Sequence, residues 1–210
     1  VDARTLETIG IEDFGGQLQC NVSAHSKVDE QTGEFLFFDY GNTYPYMMYG
    51  VASATGELVH CVPIELPGPR LPHDMAITKN YSILMDLPLF NDPEAAKLGF
   101  YKSKFFRELP SRFGIIPRYG SAEEIKWFES SPCYIYHVVN AWEEGDEIVM
   151  VCCRVKEPEP PNSKEEGPLE RMLAFLRLDA QMHCWRFNLK TGAVKEYELC
   201  DANTEFPVIN

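Results

Sequence analysis

The residues whose type and setting could do chemistry in this chain are its five histidines, His25, His60, His73, His137 and His183. His137 stands in the apolar strand pattern 135–139, where an imidazole without a partner would cost a few kcal/mol. His25 and His73 each lie at or beside a predicted strand edge, and the three histidines are 48 and 64 residues apart. One imidazole could therefore come from each of three successive meanders. Three converging neutral imidazoles would form a transition-metal site for iron, copper, zinc or nickel.

The other two histidines are predicted to be structural. His60 belongs to an alternating strand, and His183 follows Gln181 and Met182 in a predicted hairpin. Taken singly, each of the five histidines is more often an ordinary hydrogen-bonded residue than a ligand. A protein in which all of them are structural therefore stays open as an alternative.

Composition limits the class of protein. The 210 residues are 45% hydrophobic and 12% aromatic, which is typical of a globular protein. The net charge of −13, with no cluster of Lys and Arg, makes nucleic-acid binding unfavourable. The chain has no apolar run of about 18 residues that would predict a spanning helix. Seven cysteines without a CxxC spacing indicate reduced, packed thiols and a cytoplasmic location.

The elements that must position the histidines are predicted to be short strands. Thr-Gly turns at Gly33, Gly56 and Gly192 each precede a β-branched or aromatic run. We count about ten to twelve strands in antiparallel meanders, with a short helix and loop insertion near 91–109. Residues 169–178 fit either a helix or a strand. The pattern predicts a single all-β domain over 1–210: a sandwich, a barrel or a propeller.

Four segments resemble the carotenoid cleavage oxygenases, which include carotenoid and apocarotenoid dioxygenases, stilbene-cleaving dioxygenases and the retinoid isomerase. The segments are Ala24-His25, Leu71-Pro72-His73-Asp74-Met75-Ala76-Ile77-Thr78, Tyr136-His137-Val138-Val139-Asn140-Ala141-Trp142-Glu143 and Glu205-Phe206-Pro207-Val208-Ile209-Asn210. They occur in the family's order and with matching spacing, and the resemblance runs over essentially the whole chain.

The resemblance implies part of a seven-bladed β-propeller whose axis holds a non-haem Fe(II) ion on four histidines. His25, His73 and His137 match three of these ligands. The fourth is expected outside these 210 residues, so we interpret the chain as a fragment that is inactive by itself. Glu205 matches a family carboxylate that orients a ligating histidine, and we expect its partner to be His137. No catalytic residue beyond the metal ligands is implied.

The implied reaction is cleavage of a conjugated C=C bond of a lipophilic polyene by O2, giving two carbonyl products. Candidate walls of a substrate tunnel are Phe113, Trp127, Phe128, Tyr134 and Phe206, although aromatic residues of a β protein are more often core. A stilbene-cleaving dioxygenase and a non-catalytic propeller that only binds ligands remain alternatives.

Residues 88–109 fit either an apolar patch that dips into a bilayer or a lid packed on the propeller. The first alternative would add peripheral membrane contact to a cytoplasmic protein, or to a plastid protein if the source is a plant. The sequence does not determine the oligomeric state.

Overall fold

Short antiparallel strands make up most of the fold. A computed structural model of the chain describes residues 1–159 and 179–208. Its strands are β1 Lys27–Val28, β2 Phe35–Tyr40, β3 Tyr46–Ala52, β4 Leu58–Glu65, β5 Ala76–Ile77, β6 Tyr81–Asp86, β7 Leu89–Asn91, β8 Ser103–Phe105, β9 Ser111–Pro117, β10 Lys126–Ser130, β11 Tyr134–Glu144, β12 Glu147–Val155, β13 Ala180–Asn188 and β14 Val194–Asn203. One α-helix, α1 Pro93–Lys97, and one 3-10 turn, Ala122–Glu124, complete the described elements.

Twelve of the described strands form three four-stranded antiparallel sheets, and β7 and β8 form a two-stranded sheet. The first sheet is β1-β2-β3-β4, the second is β5-β6-β9-β10, and the third is β11-β12-β13-β14. The predicted Thr-Gly turns occur within the first and third sheets, where Gly33, Gly56 and Gly192 have φ of +74°, +80° and +76°. These values lie in the left-handed region that glycine adopts at little cost. The all-β, antiparallel prediction is confirmed.

Each sheet begins at one of the three histidines. His25 comes two residues before β1, His73 comes three residues before β5, and His137 lies on β11. Because β1, β5 and β11 are edge strands of their sheets, the three histidines lie at three corresponding edges. This arrangement brings residues that are far apart in sequence to one place.

Apolar packing between the sheets holds those edges in position. Phe113 of the second sheet packs against Trp185 and Phe187 of the third, with ring centroids 5.4 and 5.1 Å away. Between the first and second sheets, the buried Tyr49 hydroxyl lies 2.9 Å from the Ser82 hydroxyl. Burial of each large apolar side chain stabilises the fold by about 1.5–3 kcal/mol.

The predicted insertion near 91–109 leaves the second sheet between β6 and β9. It contains β7, β8 and α1, and the Asp92 side chain caps α1 by accepting a hydrogen bond from the Glu94 amide. Its base is anchored by the buried Phe90 and Phe105. The segment 169–178, predicted as a helix or a strand, lies outside the described residues. Among the described residues, no helix is long and apolar enough to cross a membrane.

Candidate metal centre

His25, His73 and His137 form one cluster. A ring nitrogen of each lies within 4.8 Å of the corresponding atoms of the other two. Their ring centroids are 4.5 Å apart for His25 and His73, 5.1 Å for His25 and His137, and 5.2 Å for His73 and His137. The structure therefore brings together the three histidines that the sequence pattern singled out.

The donor set fits a transition-metal ion. With metal–nitrogen bonds of about 2.1 Å, two ligand nitrogens lie about 3 Å apart when they are adjacent and about 4.2 Å apart when they are opposite. The ring nitrogens of the three histidines lie within 4.8 Å of one another, so all three can face one ion. Imidazole nitrogen is a ligand for iron, copper, zinc and nickel. These three residues could therefore hold such an ion.

Burial prepares two of the rings for this role. Removal from solvent lowers the pKa of His25 below 6.5, and the nearby His137 adds to the effect. The pKa of His73 is also lowered, first by burial and then by the neighbouring His25 and His137. Both rings are therefore neutral at pH 7, and a neutral imidazole is the form that binds a metal.

A local irregularity of β11 surrounds His137. The pairing of β11 with β12 shifts register between Ile135 and Val138, and again between Val138 and Asn140. Bulges of this kind bend a strand and change the direction of a side chain. His137 lies inside the first shift, with only 9% of its surface exposed. The irregularity occurs where the strand carries the histidine.

Glu205 contacts His137, as the resemblance implied. The Glu205 Oε2 atom lies 2.6 Å from His137 Nδ1, and it also accepts a hydrogen bond from the Phe206 amide at 2.8 Å. An ionised carboxylate only accepts hydrogen bonds, so the proton of the neutral ring belongs on Nδ1. The Nε2 lone pair is then free for a metal.

Two of the five candidate tunnel residues lie near the histidines. The Phe206 ring centroid is 4.4 Å from that of His137. Tyr134 is one ring further away: it contacts Tyr136 at 4.8 Å, and Tyr136 contacts His73 at 5.3 Å. Their role in a tunnel remains a prediction.

The other three candidates belong to the packing of the second sheet. Phe113 lies on β9 and is fully buried, while Trp127 and Phe128 lie on β10. Neighbouring strands are about 4.8 Å apart, so β9 is about 10 Å and β10 about 14 Å from β5, the strand that follows His73. Phe128 packs on Phe187, with ring centroids 5.4 Å apart. Phe113 and Phe128 are therefore buried in the packing of the sheets and Trp127 is half-buried there, and the role of these three residues in a tunnel remains a prediction.

The two histidines predicted to be structural are not in the cluster. His60 Nε2 lies 3.0 Å from the Gly120 carbonyl oxygen. His183 is buried on β13, 3.4 Å from a Glu196 oxygen. All seven cysteines are free thiols, as predicted.

Sequence reasoning did not single out Asp74, the residue after His73. Only 2% of its surface is exposed. Its carboxylate accepts a hydrogen bond from the Val138 amide at 2.8 Å. The available signal was an acidic residue inside a mostly apolar stretch, which is unusual unless a partner is present.

Comparisons with known proteins are consistent with this geometry. A family model described as "Retinal pigment epithelial membrane protein" matches residues 1–210. The carotenoid 9,10(9',10')-cleavage dioxygenase of Crocus sativus is 40% identical over 207 residues, covering 98% of this chain and 37% of that protein. An isoeugenol monooxygenase of Pseudomonas nitroreducens is 33% identical over 218 residues, covering 100% of this chain and 45% of that protein.

Among solved structures, the lignostilbene dioxygenase of Pseudomonas brassicacearum superposes with a TM-score of 0.79 at 29% identity. The match covers 96% of this chain and 43% of that one. The chain thus spans less than half the length of each of these relatives.

Proposed function

The chain belongs to the carotenoid cleavage oxygenases, the family of the retinal pigment epithelial membrane protein, and from that premise we propose that it is part of a non-haem Fe(II) dioxygenase. The substrate would be a carotenoid or apocarotenoid. One conjugated C=C bond would be cleaved, and each new carbonyl would receive one atom of O2, so that no external reductant is needed. The observation that carries this proposal is the cluster of His25, His73 and His137, whose ring nitrogens lie within 4.8 Å.

The residues of this chain would hold and orient the metal. His25, His73 and His137 would be its ligands, and Glu205 would keep the His137 proton on Nδ1. A bound ferrous ion would promote the oxidation of the double bond by O2. Tyr136 and Phe206 lie against His73 and His137 and would limit the access of water to the ligands. No acid or base side chain is required by this overall reaction.

Iron content is the direct test of the metal site. The protein is expressed from its full reading frame, and bound iron is measured for the wild type and for the combined His73→Ala and His137→Ala variant. We expect about one iron per wild-type chain and loss of iron in the double variant. His60→Ala is the matched control, because His60 contacts Gly120 instead of the cluster. A wild type without iron, or a double variant that retains it, would contradict the proposal.

A stilbene-cleaving dioxygenase is the second candidate, favoured by the structural likeness to the lignostilbene dioxygenase. Either enzyme would need the three histidines to lie together, whereas a propeller that only binds ligands would not. Incubation of the iron-loaded protein with a carotenoid and, separately, with a hydroxystilbene distinguishes the two enzymes. Aldehyde products from the carotenoid alone support the first candidate, and those from the hydroxystilbene alone support the second.

We further propose that the tip of the 88–109 segment touches a lipid surface. Leu98, Phe100 and Tyr101 are 75%, 67% and 84% exposed, and an exposed apolar cluster of this kind favours membrane contact. Lys102 and Lys104 flank it and could contact anionic lipid. A cytoplasmic location with peripheral membrane contact remains a proposal.

Vesicle co-sedimentation tests the lipid contact. The full protein is mixed with vesicles of phosphatidylcholine and phosphatidylglycerol. We expect the Phe100→Ser/Tyr101→Ser variant to bind severalfold less than the wild type. Val59→Ser/Tyr197→Ser is the control pair, since both residues are exposed on strands of the sheets. Equal binding by the wild type and the Phe100/Tyr101 variant would contradict the proposal.

A further inference from the structure

The side chain of Asp74 touches all three segments that carry the clustered histidines. It follows His73 directly in the chain. Its Oδ1 atom lies 2.6 Å from Nζ of Lys27, two residues after His25. Its Oδ2 atom accepts the hydrogen bond from the amide of Val138, the residue after His137.

The carboxylate is placed where each of these contacts matters. Val138 lies between the two register shifts of β11, and there its amide donates to the Asp74 carboxylate. The Oδ1 atom also accepts a hydrogen bond from the Met75 amide at 2.7 Å. Both carboxylate oxygens are thereby engaged, which a buried charge requires.

The chemistry of these contacts indicates more than general packing. A buried carboxylate without partners would destabilise the fold, and this one has an ammonium and two amide donors. All three donors lie within two residues of a clustered histidine. Aliphatic side chains could fill the same space, but they could not accept the Val138 hydrogen bond.

We propose that Asp74 is a positioning residue that sets the relative placement of His25, His73 and His137. The proposal rests on the proposed function, because the three histidines are taken to be metal ligands. Asp74 does not itself supply a ligand atom: it is engaged with Lys27, Met75 and Val138. Its effect on the metal is transmitted through the backbone segments that it joins.

A matched control for Asp74 exists in β6, the strand next to the one that follows Asp74. Asp86 is also buried, at 4% exposed, and it pairs with Arg70 and Arg112 at 2.6 and 2.9 Å. It lies at the end of β6, and within the described part of the chain its side chain forms hydrogen bonds with these two arginines and not with the histidines. Asp86→Asn therefore removes a buried, paired charge without touching the cluster.

The experiment compares the Asp74→Asn, Asp86→Asn and wild-type proteins, each expressed from the full reading frame. The affinity for Co(II) and the visible absorption spectrum of bound Co(II) are measured. We expect Asp74→Asn to weaken binding by about 10- to 100-fold, the range seen when groups that orient ligands are lost, and to change the spectrum. Asp86→Asn should keep the wild-type spectrum. An Asp74→Asn protein with wild-type affinity and spectrum would overturn the proposal.

Two further measurements keep the outcome decisive. If Asp74→Asn does not fold, Lys27→Met removes only the ion pair, at a side chain that is 28% exposed, and should change the spectrum in the same direction.

Crystal structures of the metal-free wild type and variant report the separations of the histidine rings. Unchanged separations would also overturn the proposal. A wild type that binds no metal would contradict the proposed function, whereas a shift of the rings in the variant would still support the positioning role.

Discussion

At the scale of single residues, the candidate site depends on proton placement as much as on proximity. His25 and His73 are kept neutral because burial lowers their pKa. At His137, the Glu205 carboxylate at 2.6 Å determines which ring nitrogen carries the proton. A partner that accepts the outer N–H of a ligating imidazole fixes its orientation and raises its basicity.

The loss of the Glu205 charge should therefore weaken metal binding. We expect Glu205→Gln to reduce the affinity for Fe(II) by about 10- to 100-fold, because an amide at this position no longer stabilises the Nδ1 proton as a charged acceptor does. Competition with a chelator of known affinity measures the change. Glu198→Gln is the control, since Glu198 pairs with Lys156 on the surface. An unchanged affinity in Glu205→Gln would show that the carboxylate does not act on the ligand.

At the scale of elements, the edge strands place the histidines and the inner strands hold the edges in position. A histidine lies just before β1 and β5 and on β11, the edge strands of the three four-stranded sheets, and the inner strands pack to hold those edges in place. β11 both carries His137 and pairs with β12. The register shifts near His137 are the only interruptions of this pairing among the described residues. The third sheet also contains a buried histidine that has no part in the cluster, His183 on β13.

His183 should make the stability of the protein pH-dependent. Burial lowers its pKa below 6.5, and Arg154 on β12 adds to this, while Glu196 and Glu198 on β14 oppose it. The unfolded chain then binds more protons than the folded one, so stability is present above about pH 6.5 and is lost as the pH falls.

We expect His183→Gln to lose less stability between pH 8 and pH 5.5 than the wild type. Urea unfolding at both pH values measures this difference. At pH 8 the histidine is not protonated in either state, so any difference between the proteins there reports the change in packing alone. An identical pH dependence in the two proteins would show that His183 does not cause the loss of stability at low pH.

At the scale of the whole molecule, polar links between sheets supplement the apolar core. Arg118 follows β9 of the second sheet and reaches the first hairpin of the first sheet, 2.6 Å from Asp29 and 2.9 Å from Glu34. Its other amino group donates to the Thr78 carbonyl. Between the second and third sheets, Glu143 accepts a hydrogen bond from the Thr78 hydroxyl at 2.7 Å.

Removal of Arg118 should loosen the contact between the first two sheets. Only 5% of its side chain is exposed, and loss of one partner from a buried ion pair costs about 3–5 kcal/mol. We therefore expect Arg118→Met to lower the free energy of unfolding by about this amount, measured by urea denaturation. Arg107→Met is the control: Arg107 also pairs with two glutamates, but at the surface, where such pairs contribute little. Equal losses in the two variants would contradict this interpretation.

The sequence by itself determined the strand-rich class, the glycine turns and the identity of the three clustered histidines. These features are written in local patterns: alternation of apolar residues, glycine at turns, and imidazoles within short, recognisable segments. The pairing of Glu205 with His137 was expected only because the segments that contain them resemble the family.

Only the tertiary structure decided which aromatic residues lie near the histidines and what surrounds Asp74. The order β5-β6-β9-β10 places the strands of Phe113, Trp127 and Phe128 away from β5, whereas the Phe206 ring lies 4.4 Å from that of His137. The contacts of Asp74 join segments that are 47 and 64 residues away along the chain. Strand order and long-range contacts depend on how the sheets pack, and no local pattern of residues encodes that packing.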